Sequence, residues 1–114
     1  MACSDARAVV WRVVADIADV APGDWIRLKI DNCDVLLVNL NGTYYAVEDK
    51  CTHDDALLSD GGWLAEGSIV CPRHAAQFRL RDGEALCPPA YEALRTFAVR
   101  VSARDVEIEV EKTG

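Results

Sequence analysis

Four residues of the chain have the types and the spacing of a metal centre. One residue separates Cys51 from His53, two separate Cys71 from His74, and seventeen lie between the two pairs. Thiolates together with imidazoles favour zinc or an iron–sulfur cluster over calcium or magnesium. The same four ligands could close a tetrahedral zinc site, although the spacing is not that of a usual zinc finger. The alternative, which the spacing favours, is a [2Fe–2S] cluster with two Cys on one iron and two His on the other.

The composition limits the classes of protein to which such a site can belong. The chain has 114 residues, which predicts one domain, 1–114. Nineteen acidic against twelve basic residues give a formal charge of −7, so we expect no nucleic acid among the partners. Both His belong to the candidate site, which leaves none for the mononuclear iron of an oxygenase. No Gly-x-Gly-x-x-Gly motif provides a dinucleotide site. We therefore expect the chain alone not to be an enzyme.

The remaining cysteines and the N-terminal residues bear on the compartment. Arg12 interrupts the first apolar run before it reaches the length of a signal peptide, and no run is long enough to span a bilayer. We therefore expect a cytoplasmic monomer without a membrane partner, in which thiols stay reduced. Cys3, Cys33 and Cys87 lie outside the candidate site and are expected to be small buried hydrophobes or incidental surface residues.

The elements that must position the site are predicted to be β-strands. Short runs with alternating or continuous apolar residues are found at Trp25–Ile30, Val35–Leu40, Thr43–Val47, Phe97–Val101 and Val106–Val110. Asn41-Gly42 separates two of these runs and predicts a tight hairpin, because both turn residues must adopt positive φ. The one helix-like stretch, Asp16–Val20, is long enough only for a turn. The fold class is therefore all-β, a small antiparallel sandwich or barrel.

Residues 49–89 break this pattern, and we expect them to form the loops that carry the chemistry. Trp63 lies between the two Cys/His pairs, where packing is expected in preference to a redox role. An acidic run surrounds the first pair and predicts either a solvated face or a docking surface: Asp49, Asp54, Asp55, Asp60 and Glu66. Near the C-terminus, Glu107, Glu109 and Glu111 alternate and are expected on the wet side of the last strand.

The motifs resemble a known family. They are Cys-Thr-His at 51–53, Leu-Ser-Asp-Gly at 58–61, Cys-Pro-x-His-x-Ala-x-Phe at 71–78 and Gly-x-Ala-Leu-x-Pro-Pro-Ala at 83–90. Together they resemble a Rieske ferredoxin, and are most similar to the ferredoxin components of bacterial aromatic-ring dioxygenase systems. The resemblance extends from roughly Val14 to Val110.

The resemblance implies a cofactor, a fold and a function. It implies one [2Fe–2S] cluster with the inner iron on Cys51 and Cys71 and the outer iron on His53 and His74. It implies the Rieske fold, in which an antiparallel β-sandwich or barrel base carries a two-loop cluster-binding subdomain, here about residues 49–89. It also implies a one-electron carrier that passes electrons from an NAD(P)H-dependent flavin reductase to a terminal oxygenase.

A comparison with respiratory Rieske proteins refines this expectation. Respiratory Rieske proteins have a disulfide between their loops, and this chain has Ala56 and Arg73 at the matching positions. They also have Ser and Tyr hydroxyl groups near the cluster, where this chain has Ala76 and Phe78. These differences predict a potential near the low end of the Rieske range. Two alternatives remain open: an accessory of another redox or iron–sulfur assembly system, resembling the small subunit of nitrite reductase, and a zinc-stabilised interaction module.

Overall fold

The computed structural model describes residues 9–30, 33–50, 57–72, 76–86 and 93–111. Within these ranges the strands are β1 (Val9–Asp16), β2 (Asp24–Ile30), β3 (Cys33–Leu40), β4 (Thr43–Glu48), β5 (Trp63–Ala65), β6 (Ser68–Val70), β7 (Gln77–Arg79), β8 (Thr96–Phe97), β9 (Val99–Ser102) and β10 (Asp105–Glu111). They form three antiparallel sheets, ordered β1-β10-β9, β2-β3-β4-β8 and β5-β6-β7. The predicted all-β class is confirmed. No helix in the described ranges is long and apolar enough to cross a membrane.

The hairpin of β3 and β4 confirms the turn predicted from the sequence. Asn41 and Gly42 both adopt positive φ, 53° and 93°, and the strands pair directly on either side of them. The Asn39 side chain, which is 3% exposed, accepts a hydrogen bond from Gly42 N at 2.7 Å and donates one to Val20 O at 2.8 Å. The turn is thereby tied to the segment that precedes β2.

Strand β3 is apolar on both faces because it separates two cores. Leu36 and Val38 point into one cluster and Val35 and Leu37 into the other, and all four are fully buried. The first cluster, here called the site-side cluster, also contains residues of β6 and β7 and of the segments around them: Leu58, Ile69, Cys71, Ala76, Phe78, Leu80 and Leu94. The second, the base cluster, is completed by β10. Two buried faces explain the nearly continuous apolar run in the sequence.

A strand that the sequence patterns did not predict, β1, completes the base. It pairs with β10 along its length, and the register shifts between Val13 and Ala15. Such a bulge disrupts simple alternation, and Arg12 further obscures the pattern. At the end of β1, Asp16 accepts a hydrogen bond from Ala18 N at 2.8 Å and caps a single 3-10 turn. The predicted short turn is thus confirmed.

Two expectations need correction. Residues 49–89 were expected to form loops, but three strands of three residues each, β5 to β7, lie within them. Glu107 was expected on a wet face, but it is only 8% exposed. Arg100 lies opposite Glu107 in the β9–β10 register and donates to its Oε1 at 2.9 Å, and the Arg100 guanidinium stacks 4.3 Å from the Trp11 ring. This stack and the ion pair cover the carboxylate.

Candidate metal centre

Cys71 is the one predicted ligand that lies within the described residues. It follows the last residue of β6, is 1% exposed and forms no disulfide. No described residue makes a hydrogen bond to its Sγ atom. The other three predicted ligands, Cys51, His53 and His74, lie outside the described residues.

The Cys-Pro segment, residues 71–76, connects β6 to β7. Cys71 N donates to Ala76 O at 2.8 Å, one step beyond the pair formed by Val70 and Gln77. This hydrogen bond joins the two ends of the segment, and His74 lies between them in sequence.

The Cys-Thr-His segment, residues 50–58, is closed by a side chain. Asp49 directly follows β4 and is 1% exposed. Its Oδ1 accepts from Ser59 N at 2.9 Å and its Oδ2 accepts from Ser59 Oγ at 2.6 Å. Arg27 on β2 donates to the same hydroxyl at the long distance of 3.5 Å. Asp49 and Ser59 together, here called the Asp49–Ser59 clasp, hold the two ends of the segment that contains Cys51 and His53.

Close backbone packing joins the two segments. A Cβ atom on Gly62 would lie 2.1 Å from Leu58 O and 2.8 Å from Val70 O, so only glycine fits between the end of the first segment and the start of the second. A Cβ on Gly61 would contact the Pro72 ring at 3.4 Å. Gly61 and Gly62 therefore lie tightly between the bases of the two segments, and Leu58 and Cys71 belong to the same buried cluster.

The surroundings of Cys71 are apolar. Ala76 and Phe78 are fully buried in the same cluster as Cys71, and neither has a hydroxyl group. At both positions, where respiratory Rieske proteins have hydroxyl groups, this chain therefore has a buried apolar side chain. Cys71 is a buried thiol without a disulfide partner among the described residues, and a second Cys/His pair lies before it in sequence, separated from it by seventeen residues. These features fit a thiolate ligand of a [2Fe–2S] cluster.

The acidic run is only partly a surface. Asp60 and Glu66 are exposed, as a solvated or docking face requires, and Asp54 and Asp55 lie outside the described residues. Asp49 was assigned to this face and that assignment is wrong, because its carboxylate turns inward to Ser59. Charge patterning alone gave no signal for this role. The sequence feature that points to the inward role of Asp49 is its position between the end of a predicted strand and Cys51.

The cysteines outside the ligand motifs and Trp63 were also considered in the sequence analysis. Cys33 is partly buried, with its Sγ 3.7 Å from Glu48 Oε2, whereas Cys3 and Cys87 lie outside the described residues. Burial, with Glu48 and Asp34 adding to it, raises the pKa of the Cys33 thiol. Trp63 is 50% exposed, so it is not a core residue.

Comparisons with known proteins agree on one family. The model of the Rieske [2Fe–2S] domain matches residues 10–98. The 3-phenylpropionate/cinnamic acid dioxygenase ferredoxin subunit of Escherichia coli K12 is 40% identical over 95 residues, which cover 82% of this chain and 88% of that protein. The chain belongs to the Rieske [2Fe–2S] family.

Solved structures support the fold. The ferredoxin of carbazole 1,9a-dioxygenase from Nocardioides aromaticivorans IC177 superposes with a TM-score of 0.80 at 26% identity, covering 86% of this chain and 95% of that chain. The ferredoxin matched in a complex of reduced oxygenase and oxidised ferredoxin of carbazole 1,9a-dioxygenase gives 0.81 at 31% identity, covering 90% and 95%. The predicted Rieske fold is confirmed, and the cofactor of the family is one [2Fe–2S] cluster.

Proposed function

We propose that the protein is a one-electron carrier, the ferredoxin component of an aromatic-ring dioxygenase system. When bound, a [2Fe–2S] cluster supplies reversible one-electron oxidation and reduction. The observation that carries the proposal is the buried, disulfide-free Cys71, which begins the Cys-Pro segment and packs beside the base of the Cys-Thr-His segment. The relative from Escherichia coli K12 is itself named a dioxygenase ferredoxin subunit.

The proposed ligands are the four residues of the two motifs. Cys51 and Cys71 would hold one iron, and His53 and His74 would hold the other. Three features support this set. Asp49 and Ser59 hydrogen-bond to each other on either side of Cys51 and His53, and Cys71 and Ala76 do so on either side of His74. Gly61 and Gly62 lie tightly between the bases of the two segments. Two thiolates balance the formal charge of two ferric ions and two sulfides, so neutral imidazoles leave the oxidised site uncharged. A neutral site accepts an electron more readily than one with four thiolates.

The partners are proposed to be a flavin-dependent reductase and a terminal oxygenase. One structure in the comparison holds a ferredoxin together with the oxygenase of carbazole 1,9a-dioxygenase, which supports an oxygenase as electron acceptor. Dioxygenase ferredoxins need an electron donor, which for this chain is an NAD(P)H-dependent flavin reductase. None of the relatives and structures described above favours the nitrite-reductase or zinc-module alternatives.

We further propose that residues 1–114 act as one domain, in a cytoplasmic monomer. Strand β3 supports the single domain because its two faces contribute to both cores. The cytoplasm is supported by the free thiol of Cys33, which the structure leaves without a disulfide partner among the described residues.

Reconstitution of electron transfer tests the proposal. The purified chain, mixed with NADH, a reductase and an oxygenase from a characterised aromatic dioxygenase system, is expected to support oxygen uptake coupled to product. Uptake should stop when any one component is left out. His74→Ala should abolish uptake, while the matched surface variant Val101→Ala should retain it. Substrate oxidation by the isolated chain would overturn the carrier assignment.

A further inference from the structure

Asp49 is a buried acidic residue that the ligand set does not use. It is 1% exposed, and its two carboxylate oxygens are directed at Ser59. Burying a carboxylate is unfavourable unless hydrogen bonds replace its lost hydration. Here a backbone N–H and a hydroxyl, ten residues along the chain, supply those bonds.

The main chain of Asp49 is fixed independently of its side chain. Asp49 N donates to Asp34 O at 2.8 Å, which continues the β3–β4 ladder one residue beyond Glu48. The carboxylate therefore projects from the end of the β2-β3-β4-β8 sheet, and Ser59 is held relative to that sheet.

Leu58 and Gly62 connect Ser59 to the Cys-Pro segment. Leu58 precedes Ser59 and is fully buried in the site-side cluster that contains Cys71. Leu58 O accepts from Gly62 N at 3.0 Å, and Gly62 has no room for a Cβ between Leu58 O and Val70 O. The clasp therefore connects the β2-β3-β4-β8 sheet, the end of the Cys-Thr-His segment and the residue before Cys71.

We propose that Asp49 is a positioning residue for the cluster: through Ser59 its carboxylate holds the Cys-Thr-His segment in place relative to the Cys-Pro segment. This proposal rests on the proposed function, because it assigns Cys51 and His53 as ligands. Residues that orient metal ligands without touching the metal commonly change metal affinity roughly 10- to 100-fold when they are replaced.

The test compares Asp49→Ala with Asn39→Ala. Asn39 is a fair control because it is 3% exposed and, like Asp49, makes two side-chain hydrogen bonds, but it ties down Val20 and Gly42 in the base. Three quantities are measured on cluster-loaded protein: the rate at which a chelator bleaches the visible absorption, the EPR line shape after reduction, and the midpoint of thermal unfolding.

Asp49→Ala is expected to bleach roughly 10- to 100-fold faster than wild type and to change the EPR line shape. Asn39→Ala is expected to lower the unfolding midpoint while its bleaching rate and EPR line shape stay as in wild type. Wild-type bleaching and EPR in Asp49→Ala, or equal acceleration in Asn39→Ala, would overturn the proposal.

Ser59 variants keep the test decisive if Asp49→Ala fails to fold. Ser59→Ala loses the hydroxyl but keeps the backbone bond to Asp49, so a smaller acceleration is expected, and Ser59→Thr, which retains the hydroxyl, should restore the wild-type rate. A wild-type bleaching rate in Ser59→Ala would count against the clasp. A wild-type protein without visible absorption or an EPR signal would instead refute the proposed function, so the two failures are distinguishable.

Discussion

Cys71 and Cys33 are the same residue type in different environments. Cys71 is buried among apolar side chains beside the close approach of two segments, whereas the Cys33 thiol points toward the Glu48 carboxylate. No described acidic group makes a hydrogen bond to the Cys71 sulfur. The residue's surroundings, and not its type, therefore separate a proposed ligand from a packing residue.

The raised pKa of Cys33 predicts slow alkylation. A thiolate at this position is disfavoured first by burial and then by the negative charges of Glu48 and Asp34. Because the thiolate is the reactive form, a raised pKa leaves less of it at pH 8 in the folded protein than in the unfolded chain. Iodoacetamide labelling followed by peptide mass mapping should show slower modification of Cys33 in native buffer than in denaturant. Equal rates of Cys33 modification in native buffer and in denaturant would contradict a raised pKa for this thiol.

Phe78 bears on the reduction potential. Its ring is fully buried in the cluster that contains Cys71, and Ala76 beside it also lacks a donor. Fewer hydrogen bonds to cluster or thiolate sulfur stabilise the reduced state less, so we expect a midpoint of about −150 mV, at the low end of the Rieske range. Voltammetry should also give a higher midpoint for Phe78→Tyr, with Phe97→Tyr as a control outside that cluster. A wild-type midpoint well above 0 mV would contradict this expectation.

At the scale of elements, Gly62 is the most constrained position between the two segments. An added Cβ would overlap Leu58 O and Val70 O, so Gly62→Ala must displace β5 or the base of the Cys-Thr-His segment. Overpacking of this kind destabilises by about 1–3 kcal/mol. Thermal unfolding should show this loss together with faster release of iron to a chelator.

Gly23→Ala is the matched control for Gly62→Ala. Gly23 has a φ of 85°, and no neighbouring atom lies within 4 Å of the position that a Cβ would occupy, so alanine there strains the backbone without displacing a neighbour. It should lower stability by about 1–2 kcal/mol while iron release stays at the wild-type rate. If both variants release iron at the same rate, the packing between the segments has no special role.

The elements also show what the sequence can predict. Alternation marked β2 and β10, and Asn41-Gly42 marked the β3–β4 hairpin, because each depends on neighbours in sequence. The short strands β5 to β7 were missed because three residues are too few to establish a period of two.

The site residues also divide into those that local sequence predicts and those whose role depends on distant contacts. The ligand motifs were recognisable because their spacing is local. The inward turn of Asp49 depends on Ser59, ten residues away, and the burial of Glu107 depends on Arg100 and Trp11 in neighbouring strands. Such contacts exist only once the chain is folded, so charge patterns placed both acids on the surface.

At the scale of the whole molecule, the net charge of −7 predicts steering by charge. Asp60 and Glu66 are exposed and lie on either side of Trp63 in sequence, and Trp63, itself 50% exposed, begins β5, which pairs with β6 directly before Cys71. A carrier that releases its partner quickly uses small interfaces with complementary charge. We therefore expect this face to meet basic surfaces on the reductase and the oxygenase.

Stopped-flow measurement of reduction by the reductase tests the docking face. The second-order rate should fall as salt rises, because the screening length shortens to about 8 Å at physiological ionic strength. Trp63→Ala should slow reduction and leave the unfolding midpoint almost unchanged, whereas Val101→Ala, which removes a similarly exposed apolar side chain from β9, should have no effect. Rates that do not respond to salt would show that the acidic residues form only a solvated surface.

The most direct test of the account is EPR spectroscopy of the reduced protein with spin quantification. Wild type and Cys33→Ser, after anaerobic purification and reduction by dithionite, should be red-brown before reduction and should each give a Rieske-type signal that integrates to one unpaired electron per chain. Cys71→Ser should lose both the colour and the signal, because one of the four proposed ligands is gone. A colourless wild-type protein that holds zinc after iron-replete expression, or a Cys71→Ser variant with an unchanged signal, would contradict the account.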